Sequence, residues 1–96
     1  MIKNFKSSTA QDIYDGISST HSKKIPSMLH DKISRLFDQL NAVTKIDSLR
    51  VPPSNHLKKL IGNKKNFWSI RVNDQYRVIF KWDNGEAIDV DVQDYH

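Results

Sequence analysis

The 96-residue chain has no cysteine. That excludes a disulfide framework and any thiolate metal site. No apolar run approaches the roughly 20 residues of a membrane-spanning helix. The opening MIKNFKSSTA lacks the apolar centre of a secretory signal. The histidines stand at 21, 30, 56 and 96, without the HExxH spacing of a metal site. No cofactor is implied. These absences leave a small globular chain, read as one domain over residues 1–96 and expected in the cytoplasm without membrane attachment.

What is present is unevenly charged. The formal net charge is +4. Between Arg50 and Lys81 stand Arg50, Lys58, Lys59, Lys64, Lys65, Arg71, Arg77 and Lys81 against one acid, Asp74. From Trp82 onward there are acids but no lysine or arginine. A basic segment of this density suits phosphate contacts, and it also suits a plain solvated lysine face.

Hydrophobic spacing predicts an α+β fold. Ile2–Phe5 reads as a short edge strand. Thr9-Ala-Gln-Asp12 resembles a capping box opening a first helix with Ile13, Tyr14 and Ile17 inward and Gly16 near its end. Pro26 suits the first turn of a second helix, where Leu29, Ile33, Leu36, Phe37, Leu40 and Val43 form an apolar stripe. Arg50-Val-Pro-Pro-Ser reads as a linker. A short strand within Leu57–Ile61 and three longer ones, FWSIRV, YRVIFKW and AIDVDVQ, then give an antiparallel meander. One of its faces packs on the helices and the other is open.

Directly paired residues share a face. That rule predicts a three-residue loop at Asn73-Asp74-Gln75 and another at Asp83-Asn84-Gly85. The latter pairs Phe80 with Ile88 and Arg77 with Asp91, whereas a two-residue Asn84-Gly85 turn would bury acids. The open face then carries Arg71, Arg77, Ile79, Lys81, Asp89 and Asp91. Planar guanidiniums on a rigid sheet suit phosphate, and Arg77 also suits a simple ion pair with Asp91.

The chain closes on Asp94-Tyr95-His96. Negative charge beside His96 favours its protonated ring, a candidate general acid, and Tyr95 could orient a phosphate oxygen. The chemistry open to such groups is attack of a ribose 2′-hydroxyl on the adjacent phosphate. A frayed end is the alternative. Alternation places Asp94 and His96 on the core side, so delivering His96 to the open face requires the last strand to bend or stop after Gln93.

WSIRVNDQYRVIFKW followed by VDVQDYH, with MIKNF and RVPPSNHL before them, resembles the HigB toxins of the RelE/ParE superfamily. The resemblance implies an mRNA interferase that cuts translated mRNA on the ribosome. It also implies a HigA-type helix-turn-helix antitoxin through which alone operator DNA is bound. Implied site residues are Asp94, Tyr95, His96, Arg71 and Arg77, with His56 nearby. Lys58, Lys59, Lys64, Lys65 and Lys81 would contact RNA or the ribosome. The chain departs from the family at Leu60-Ile61-Gly62, where Ile61 replaces a lysine. Alternatives are a ParE-like gyrase inhibitor and a catalytically decayed RNA-binding partner.

Overall fold

The computed structural model describes residues 1–62 and 66–95. Helix α1 (Ser8–Asp15) and helix α2 (His30–Ala42) precede strands β1 (Lys58–Lys59), β2 (Phe67–Arg71), β3 (Tyr76–Asp83) and β4 (Glu86–Asp94). The strands form one antiparallel sheet in the order β1-β2-β3-β4. This is the expected meander, with helices on one of its faces.

The apolar stripe of α2 explains the core. Ile33, Leu36, Phe37 and Leu40 are buried against Ile70, Val78, Phe80 and Val90 of the sheet. Phe5 and Phe37 meet edge to face at 5.2 Å, and Tyr14 stacks obliquely on Phe5 at 5.1 Å. Such aromatic contacts add about 0.5–1.5 kcal/mol beyond the area they bury.

Several expectations need correction. Ser7, not Thr9, caps α1: its hydroxyl accepts from the Ala10 N–H at 3.1 Å. Ile17 lies beyond the helix and is exposed. Pro26 precedes a 3-10 turn, Ser27–Leu29, and α2 begins only at His30. Ile2–Phe5 is not a strand. It makes two isolated parallel bridges to β4, Ile2 with Ala87 and Phe5 with Val90. The short strand expected within Leu57–Ile61 is present as β1, and the Leu60 N–H just past it donates to the Phe67 carbonyl at 2.8 Å.

The β2–β3 loop is the expected one: Arg71 lies opposite Arg77, and the Val72 N–H donates to the Tyr76 carbonyl at 3.0 Å. The β3–β4 turn is not. It has two residues, Asn84 (φ 50) and Gly85 (φ 78), with Asp83 opposite Glu86 and Trp82 opposite Ala87. Positive φ at both positions is what the type I′ hairpin turn demands. The acids nevertheless stay out of the core. The register shifts by one residue between Ile79 and Lys81, and Asp89 takes a left-handed φ of 52. This bulge resets parity. Val78 meets Val92, Ile79 meets Asp91 and Arg77 meets Gln93. Ile88 therefore pairs with Lys81 on the open side instead of with Phe80, and Arg77 does not face Asp91.

Candidate active site

The open face is ordered by this register. Arg71 and Arg77 sit side by side on β2 and β3. Ser69 and Ile79 pair next to them, and both are fully buried although they point away from the helices. Arg77 accounts for part of that cover. Its Nη1 reaches diagonally to the Ser69 hydroxyl at 2.9 Å and to the His56 carbonyl at 3.5 Å. The guanidinium is thus held by oxygens of two neighbouring segments. Arg71 is ion-paired with Asp74 of the adjoining loop.

His56 is held locally. Asn55 is buried, and its amide nitrogen donates to Gln39 Oε1 at 3.0 Å and to the Leu49 carbonyl at 3.1 Å. Those bonds tie the linker to α2. They fix the next residue, His56, in a left-handed conformation (φ 46) with its side chain exposed.

At the same end of the sheet β4 runs through Asp94, opposite Tyr76, and does not stop after Gln93. Gln75 grips this end: its Nε2 donates to Asp94 Oδ2 at 3.0 Å, and its carbonyl accepts from the Tyr95 N–H at 2.5 Å. Continued alternation gives Tyr95 the open-face parity of Gln93, and it is 44% exposed. His96 lies outside the described residues, as do Lys64 and Lys65.

The remaining candidates lie elsewhere. Lys58 and Lys59 are exposed on β1, with Lys59 Nζ 5.7 Å from the Trp68 ring centre. Lys81 is at the far end of β3, 3.6 Å from Asp89 Oδ2 and over the Phe67 ring. The structure thus gathers Arg71, Arg77, the His56 backbone and Tyr95 at one end of the open face, while Asp94, opposite the core residue Tyr76, stands at the same end of the sheet with helix-side parity. Lys81 stands at the other. Among the described residues no three histidine or carboxylate side chains converge as a metal site would require.

Asp89 is tuned by its neighbours. The Asn4 amide donates to its carboxylate at 2.7 Å, and this bond, followed by the charge of Lys81, holds its pKa below the ordinary carboxylate value against the opposing effect of desolvation. Sequence reading missed Ser69, Asn55 and Asn4 as partners. Only Ser69 left a signal, a small polar residue at open-face parity among large ones.

Comparison with known proteins gives a consistent result. A family described as the RelE-like toxin HigB of type II toxin–antitoxin systems matches residues 3–96. The chain is 36% identical to Toxin HigB-1 of Vibrio cholerae over 92% of its own length and 90% of that protein. It is 29% identical to Endoribonuclease HigB of Proteus vulgaris over the full length of both. An uncharacterized protein of Haemophilus influenzae is 48% identical over 71% of this chain and 66% of its own.

Proposed function

The chain belongs to the HigB-like family of RelE-like toxins of type II toxin–antitoxin systems, and on that premise we propose that it is an endoribonuclease cutting mRNA on the translating ribosome. Its partner is an antitoxin, in this reading a HigA-type helix-turn-helix protein that alone carries the pair to operator DNA. The full-length relative named as an endoribonuclease supports the activity.

The observation that carries the reading is the anchored Arg77 guanidinium beside Arg71 on an otherwise open sheet end. A guanidinium fixed by neutral oxygens keeps its charge for an anion while losing little freedom on binding one. Such a group stabilises the extra negative charge that develops on a phosphate under attack. The ribose 2′-hydroxyl loses its proton and bonds to phosphorus. The bond to the 5′-oxygen breaks, and that oxygen takes a proton. The products are a cyclic phosphate and a free 5′-hydroxyl. Only RNA carries the attacking group. In this reading Arg77 and Arg71 hold the phosphate, Tyr95 orients an oxygen, and His96, beside Asp94, donates the proton.

The test is cleavage of mRNA, translated and naked, by wild type and His96→Gln. Wild type cuts the translated message. The variant cuts about 100- to 10,000-fold more slowly, the usual loss of a general acid, with its melting temperature unchanged. An undiminished variant moves the acid to His56, and an inactive wild type removes the endoribonuclease reading.

A further inference from the structure

The far end of the sheet holds a second feature, about 13 Å along β3 from Arg77 by the rise of four strand residues. A cleft of about 490 Å³ opens there at the rim of the sheet, where Lys81 and Ile88 reach it from the open face and Lys59, Trp68 and Trp82 have the parity of the helix face. Its walls are the partly exposed indoles of Trp68 and Trp82 and the side chain of Ile88. Lys59 and Lys81 line it as well. Asn66 and Asp83, both exposed, complete the lining with an amide and a carboxylate.

The composition is specific in a chemical sense. Flat apolar walls suit a planar ring. Ammonium groups suit phosphates on either side of that ring. An amide and a carboxylate can accept from, and the amide donate to, the polar edge of a base. The site also has a ready exchange. Lys59 now lies 5.7 Å from the Trp68 ring centre, and Lys81 lies 5.2 Å from the Phe67 ring centre. A base stacked on Trp68 would replace the lysine there and free its charge for the backbone, the combination that single-strand binding grooves use.

We infer that this tryptophan–lysine cleft binds a nucleobase of the same single-stranded RNA whose phosphate lies at Arg77, a few nucleotides from the cut. The inference rests on the endoribonuclease reading for its ligand. The RNA then runs along the open face from Arg77 to Lys81 and turns over the rim of the sheet to set the base against Trp68.

The experiment is tryptophan fluorescence of the whole protein titrated with a six-nucleotide RNA that is 2′-O-methylated throughout, so that it cannot be cut. Saturable quenching is expected. Trp68→Leu should weaken binding about 5- to 150-fold, the equivalent of one lost stacked base. Asn66→Asp should also weaken it. That residue is exposed in a turn, so the substitution leaves folding intact even where loss of an indole does not. Heparin, a polyanion without bases, serves as control. Absence of quenching, equal affinity for both variants and wild type, or equal quenching by heparin overturns the cleft as a base site. Cleavage of translated mRNA is followed separately. Hexamer binding with no cleavage by wild type overturns the endoribonuclease reading and leaves the cleft standing. Cleavage without hexamer quenching does the reverse.

Discussion

Arg77 is the residue on which the proposed site turns, and its surroundings set out what a substitution should do. Nη1 alone makes the contacts to Ser69 and the His56 carbonyl, leaving the other guanidinium nitrogens for a phosphate, whereas a lysine has one nitrogen for both tasks. Arg77→Lys should therefore lower cleavage by about 10- to 100-fold, the scale of a lost charge-assisted hydrogen bond of about 1.5–3 kcal/mol. The melting temperature should change little. Ser69→Ala removes an aiming contact only, and should reduce cleavage several-fold while leaving ribosome binding unchanged. If Arg77→Lys cuts normally but melts lower, the guanidinium is a structural tie. The position of Arg77 on the open face was legible, because alternation along YRVIFKW fixes it. Its partners were not. The expected Asp91 is two residues away along β4, opposite Ile79 and accepting from the Ser7 hydroxyl at 2.5 Å.

At the scale of elements, the two helices and the strands followed from periodicity, and the first hairpin from parity. The second hairpin shows why parity alone falls short. The conflict between an Asn-Gly turn and buried acids was real, but it is resolved by a bulge and not by a longer loop. The bulge depends on Asn4, whose carboxamide oxygen accepts from the Asp89 N–H at 3.0 Å while its nitrogen binds the same residue's carboxylate. No local pattern announces a partner 85 positions away. Asp89→Ala should cost about 1–2 kcal/mol, because a left-handed residue then carries a methyl group without the compensating bonds. Asp89→Asn keeps the conformation and removes the charge. Because the folded pKa of Asp89 is depressed, its ionic contribution is present above the ordinary carboxylate pKa and lost as pH falls through the folded value. The melting-temperature advantage of wild type over Asp89→Asn should hold at neutral pH and fade below about pH 4. An advantage that persists at low pH would show the charge to be irrelevant.

At the scale of the molecule, the charge map supports division of labour. Lys58 and Lys59 are exposed at the β1 edge. Each phosphate contact releases a counterion, so ribosome association should weaken steeply with salt. Lys58→Gln should flatten that slope and weaken binding, without altering turnover of message already bound. Loss of turnover with unchanged binding would refute the division. Expressed alone in a bacterial cell, the protein should arrest growth and translation, and co-expression of its antitoxin should restore both. Normal growth at verified soluble expression would contradict a toxin. The bridge between Asn4 and Asp89 carries one more consequence, in the time of synthesis. It belongs to the most non-local class of contact, which forms late because a long loop must close first. A nascent chain that has not reached Asp89 cannot close it. The register that sends Val92 to the core and Gln93 to the side of Arg77 is then unset, and a ribosome still making this protein holds a polypeptide in which the strand end that carries Asp94 and Tyr95 does not yet exist.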